Sequence, residues 1–186
     1  WPETYEYMTM MQAKEYPVTI IRPDVGGVSS IYDESKKYSI FPSRQRRWCT
    51  SKFKIKVLIK YYQKPCIELI GFDIREKNRR NSIWERDGVV QEYPLIEANI
   101  DREDCEEIIR RHGLPIPPKS GCYICPFQTR KQWIELKRKH PDLFCRAIKL
   151  ENSCNERLVA TGKEPAYFKD IPLETLVLPK DSRGRR

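Results

Sequence analysis

In the first 13 residues the apolar positions Tyr5, Met8 and Met11 recur three apart behind Pro2 and Glu3, a spacing that predicts a helix to about Ala13 with these side chains facing a core. Proline suits a first helical turn, where its missing N–H would have no partner, and an acid there meets the positive end of the peptide dipoles. Val18-Thr19-Ile20-Ile21, closed by Arg22-Pro23, predicts a short buried strand. Helix followed by strand opens an α/β alternation. From Asp24 to Gln45 no period is sustained and Gly, Ser and Tyr recur, which predicts a long surface loop.

A second strand is predicted at Cys66-Ile67-Glu68-Leu69-Ile70, with Cys66 as a small core hydrophobe. It runs into Gly71-Phe72-Asp73 and the charged stretch Arg75-Glu76-Lys77-Asn78-Arg79-Arg80, and ligands of open α/β sheets gather just past the carboxyl ends of strands. Tyr93-Pro94-Leu95-Ile96 is a further short apolar stretch. From Asp101 the helix signals are complete: an N-cap, Glu103 and Asp104 in the first turn, Arg110, Arg111 and His112 in the last, and Gly113 as the stop. Cys105, Ile108, Ile109 and His112 share one face of this helix, so Cys105 is expected to point inward. Thr129 caps a helix carrying Trp133, Ile134 and Leu136, and from Asp142 another carries Phe144, Ala147, Ile148, Cys154 and Leu158. Cys154 falls on the apolar face, Cys145 next to it, and His140 before Pro141 reads as a helix-end residue.

Composition narrows the class. With 186 residues, 39% hydrophobic and 33% charged, the chain reads as one soluble globular domain, and no apolar run approaches the length of a membrane span. Lys and Arg number 35 against 26 Asp and Glu, a net charge of +9 that favours a polyanionic partner without saying where it binds. Seven cysteines in a chain of this length point to a reducing, cytoplasmic compartment with thiols used as metal ligands or core residues. Trp1-Pro2-Glu3-Thr4 opens directly on a helical turn with no initiator Met, and a natural domain seldom begins there, so a preceding segment is expected.

Two stretches carry candidate chemistry. Gly113 to Gln128 places Cys122 and Cys125 at C-x-x-C spacing between a Ser-Gly turn and Pro126, half of a metal site or a redox dithiol. Prolines 115, 117 and 118 hold the approach to it extended. Ser43 to Lys56 interleaves Arg and Lys with Trp48 and Phe53 beside Cys49. It reads either as the start of a solvated basic helix or as an anion-binding segment, Arg47, Lys52 and Lys54 foremost, that delivers Cys49 to a metal.

Trp1-Pro2-Glu3-Thr4-Tyr5, Arg47-Trp48-Cys49-Thr50 with Phe53-Lys54-Ile55, Gly71-Phe72-Asp73 with Glu76 and Arg79, and Gly113-Leu114-Pro115 leading to Ser120-Gly121-Cys122-Tyr123-Ile124-Cys125-Pro126-Phe127 follow one another in a known order. In these segments the chain resembles the phosphoadenosine phosphosulfate reductase family, in particular its bacterial and phage-type branch, which is similar to the sulfur-transfer protein of DNA phosphorothioation. The resemblance spans about residues 1 to 150. It implies an α/β, adenine nucleotide alpha-hydrolase-like fold, a twisted, mostly parallel sheet with flanking helices. The family's Ser-Gly-Gly-x-Asp-Ser phosphate loop does not occur here, so the expected fold lacks the first strand and that loop, and the chain as given is expected not to turn over ATP or a sulfonucleotide. Arg75 stands where many relatives carry an acid. The expected organisation is a family-like domain over 1–160, with its cysteine loop at 105–127, and an extension over 161–186 that turns polar and basic from Leu176.

The resemblance implies adenine-nucleotide-dependent sulfur chemistry, a reduction or a sulfur transfer. The adenine nucleotide would be held by Gly71, Asp73, Glu76 and Arg79, and the metal by Cys49, Cys105, Cys122 and Cys125. All-sulfur ligation suits an iron–sulfur cluster or zinc, and the sulfur-transfer relatives favour a [4Fe-4S] cluster. A sulfur-donor protein is a further expected partner. The competing reading is a non-catalytic, metal-stapled module that binds nucleic acid through its basic surface.

Overall fold

In the computed structural model, which describes residues 1–82 and 88–177, the longest element is α8, Pro141–Ala160. Pro141 starts it, and Ala147, Leu150, Glu151 and Cys154 form one buried stripe along it. Gly162, at φ 72°, ends it: Lys163 N–H reaches the Leu158 carbonyl at 2.9 Å and Gly162 N–H the Val159 carbonyl at 2.9 Å. That paired closure satisfies carbonyls the helix leaves open and needs a left-handed residue, hence glycine. Helix α7, Arg130–Lys139, starts with a capping box in which Thr129 and Gln132 exchange bonds, and it packs on α8 through the fully buried Trp133 and Leu136. Thr129→Ala should lower stability by about 1 kcal/mol, read as a shifted denaturation midpoint.

Two units make up the chain, Trp1–Leu58 with Ser120–Arg186, and Ile59–Lys119. The core of the first joins Trp133 and Leu136 to Phe144, Ala147, Leu150 and Cys154, and to Ile124, Phe168, Leu173 and Leu176. Phe168, Leu173 and Leu176, from the region expected as an extension over 161–186, are part of this core, and Leu176 is 1% exposed rather than frayed. The rest of that expected tail, 178–186, lies outside the described residues. Glu151, 1% exposed, ties this segment down: one carboxylate oxygen accepts Phe168 N–H at 2.9 Å and the other Leu173 N–H at 2.8 Å. Burial pushes its carboxyl up against those two bonds.

Helix α1, Pro2–Ala13, forms where predicted, but it has no fully buried residue and Tyr5 is 60% exposed, so the stripe does not face a core. Val18–Ile21 forms no strand; the run has no strand partner among the described residues, and a strand needs one. The predicted loop over 24–45 contains α2, Ile31–Tyr38, capped by the Ser30 hydroxyl, which accepts Asp33 N–H at 3.0 Å. A helical run then follows as α3, Trp48–Thr50, a π-helical turn, Ser51–Ile55, and α4, Lys56–Tyr61. Phe53 is buried within this run, its ring 6.2 Å from that of Trp48.

In the second unit β1, Cys66–Leu69, pairs in parallel with β2, Val89–Glu92, through Cys66 opposite Val89 and Leu69 opposite Glu92. The architecture is thus mixed α/β with a two-stranded parallel sheet among the described residues; a larger twisted sheet is not seen there. Cys66 and Glu68 turn to the half-buried face, while Ile67 and Leu69 are 61% and 65% exposed, so Cys66 is half-buried rather than a core residue. On that face Tyr62 and Gln91 both donate to the Glu68 carboxylate, Gln91 Nε2 at 2.7 Å. After a 3-10 helix at Ile74–Ser82 and the short α5, Pro94–Glu97, comes α6, Arg102–Arg111, with its predicted ends. Asp101 and Asp104 form a capping box, and Gly113 at φ 67° closes the helix as Gly162 closes α8. On α6 Cys105 and Ile109 are half-buried, whereas Ile108 and His112 are exposed, so the inward face is narrower than the spacing implied.

Candidate functional site

The C-x-x-C loop sits on the core of the first unit. Two turns in series shape it: Cys125 N–H bonds to the Cys122 carbonyl at 3.0 Å, and Gln128 N–H to the Cys125 carbonyl at 3.1 Å. Between the cysteines Ile124 is fully buried, anchoring the turn in the core while the two thiols remain half-buried. Gln128, 6% exposed, braces the loop by donating to the Tyr123 carbonyl at 3.0 Å and accepting from Trp1 Nε1 at 3.3 Å. The Trp1 nitrogen donates to the Gly121 carbonyl at 3.1 Å. The sequence signal for this brace is a polar residue directly after C-x-x-C-P-F.

The basic segment meets this loop. Arg44 Nε donates to the Pro126 carbonyl at 3.5 Å, and the Arg47 guanidinium lies 5.3 Å from the centre of the Phe127 ring. Cys49, on α3, is half-buried, and its charge is the smallest of the influences that push the Cys122 thiol up. Burial is the main influence on Cys122 and pushes its thiol up; the Ile124 amide, hydrogen-bonded to the sulfur, works in the opposite direction. A thiol held protonated by burial is a poor free nucleophile. An amide aimed at its sulfur and two thiols around it are instead the surroundings of a ligand whose proton a soft metal displaces. Among the described residues no three His, Cys, Asp or Glu side chains stand already converged on one point.

The remaining candidates divide between the units. Lys52 is paired with Glu34, which is 4% exposed, while Lys54 is exposed. Cys105 lies in the second unit, where burial first and then Asp73, Asp104 and Asp101 push its thiol up. Cys154 is a core residue as expected, with burial raising its thiol to about 12. Gly71 is exposed and an added Cβ there would meet nothing. Asp73 caps the 3-10 helix, accepting Arg75 N–H at 2.8 Å and Glu76 N–H at 3.2 Å. Glu76 pairs with Arg79, whose guanidinium lies 4.1 Å from the centre of the Phe72 ring. Arg75 bridges to Asp101 at 2.6 Å and Glu103 at 2.7 Å, joining the 3-10 helix to the start of α6.

Comparisons with protein-family models, with curated proteins and with solved structures return no match. No helix among the described residues is long and apolar enough to cross a membrane.

Proposed function

We propose that the chain carries a thiolate-ligated metal centre on the Cys122–Cys125 loop and serves adenine-nucleotide-dependent sulfur chemistry of the phosphoadenosine phosphosulfate reductase type. The observation that carries the reading is the approach of Arg44 and Arg47 to that loop, which sets two arginines beside the Cys122–Cys125 pair in the unit that also holds Cys49. Sulfur ligands suit an iron–sulfur cluster or zinc, and a [4Fe-4S] cluster is the form we favour. Such a centre supplies electron transfer or Lewis acidity when bound. Arg44 and Arg47, whose planar forks match phosphate and sulfate oxygens, would hold an oxyanion beside it. Metal uptake would draw together the thiols of Cys49, Cys122 and Cys125, the three candidate ligands that share the first unit.

Anaerobic reconstitution with iron and sulfide, run beside zinc loading, tests the centre: a brown protein with broad visible absorbance and stoichiometric iron supports the cluster, and a colourless one holding zinc supports the alternative. Retention of neither metal ends the reading. The nucleotide arm rests on Gly71, Asp73, Glu76 and Arg79. Replacing Arg79 by Ala should weaken binding of ATP or an adenylyl sulfate by roughly tenfold to a hundredfold, the loss typical of a charge-assisted hydrogen bond. Titration calorimetry showing equal affinity in the two proteins would remove Arg79 from the site.

A further inference from the structure

Net charge is not shared between the two units. Ile59–Lys119 holds 11 Lys and Arg against 12 Asp and Glu, leaving 24 against 14 for the first unit. Within the first unit, the stretch from Ser35 to Leu58 has eight Lys and Arg and no acid at all. Arg44, Arg46, Arg47, Lys54 and Lys56 along it are exposed. Two exposed aromatic rings stand beside this stretch, one against Arg47 and one against Lys37 and Lys52. The first is Phe127, 51% exposed, with the Arg47 guanidinium 5.3 Å from its ring centre; the second is Tyr38, 44% exposed, with Lys37 at 5.4 Å and Lys52, itself paired with Glu34, at 5.7 Å. Arg47 and Lys52 are joined by α3 and the π-helical turn, so both rings flank one helical segment.

We propose that this acid-free segment, with Phe127 and Tyr38 beside it, is a binding surface for single-stranded nucleic acid. The inference goes beyond the cysteine centre and does not depend on it. A cationic track alone would attract any polyanion, because release of counterions from phosphates is indifferent to sequence and strandedness. The exposed rings narrow the partner. Unpaired bases offer π-faces that stack on aromatic side chains, and arginine beside the ring adds to the contact, whereas a duplex keeps those faces inside its own stack. Electrostatics would bring the strand to the track, and the two rings would hold its bases.

The test uses the full 186-residue chain and fluorescence anisotropy with a labelled oligodeoxythymidine of about 20 nucleotides. The same strand in duplex form and phosphatidylserine vesicles serve as competitors. Phe127→Ala and Tyr38→Ala should each weaken binding by roughly 5- to 100-fold, while Phe127→Trp, which keeps a stacking ring, should retain it. Arg47→Gln should reduce the salt dependence by about 0.7 of a log unit per log unit of salt. Unchanged affinity in both alanine variants, or competition by duplex or vesicles as strong as by the single strand, overturns the proposal. The readout is independent of metal content, so its failure and that of the cysteine centre are separable.

Discussion

Replacing Glu151 by Ala is expected to cost the first unit about 2–4 kcal/mol, because it leaves two buried backbone donors, Phe168 N–H and Leu173 N–H, without acceptors. The loss should exceed that of a surface cap such as Thr129, since water cannot replace a carboxylate that is 1% exposed. Glu151→Gln should fall between wild type and Ala: one oxygen still accepts, but the amide presents N–H to an N–H. The pH dependence follows from the direction of the carboxyl shift. Burial holds the folded-state value above the unfolded one, so the side chain's contribution is complete below the ordinary carboxyl range. It declines as pH rises toward the folded value, because the unfolded chain ionises first. Denaturant titrations across the acid range should therefore show the wild-type and Ala curves converging as pH increases. A constant gap would mean that Glu151 does not titrate across the transition.

The second large effect concerns metal. Cys122→Ser with Cys125→Ser should abolish stoichiometric metal, and a single change at Cys49 should lower it, whereas Cys66→Ser and Cys154→Ser should leave it intact. Because Cys122 is held protonated by burial, each incoming metal must displace its proton. Apparent affinity should then rise with pH below the raised thiol value, by about tenfold per pH unit for each proton displaced. Competition with a chelator at several pH values measures this slope. Full metal retention in the double variant would refute the site.

The sequence was most legible where a helix carries its own signals. Asp101, Asp104 and Gly113 bound α6, and Thr129 bounds α7, because caps are local hydrogen bonds that need no distant partner. Strands were the opposite case. Val18–Ile21 has the right composition and no pairing, while Val89–Glu92 forms β2 because β1 lies in parallel beside it. Helix α2 was hidden by the Gly26-Gly27 and Ser29-Ser30 surroundings, although Ser30 three residues before Asp33 was already a cap. Of the candidate site, the C-x-x-C loop was readable from spacing. The contact of Arg44 and Arg47 with it spans about 80 residues of sequence and becomes visible only in the fold. Glu151 also had a signal, a carboxylate on the stripe of Ala147, Leu150 and Cys154, where only a buried acceptor role makes sense of it.

The first unit is built from both ends of the chain, with Ile59–Lys119 set between them. During synthesis its core cannot close until Leu173 and Leu176 leave the ribosome, long after α1 and α2 have emerged. At ordinary elongation speeds that interval is roughly 10–30 s. Throughout it, the residues that later meet the cysteine loop, Trp1 and Arg44 among them, have no loop to meet, and the inserted unit is complete in sequence before its host. The nascent chain thus spends its growth with the apolar side chains of an unfinished core open to chaperones, and to any metal that reaches Cys49 before its neighbours arrive.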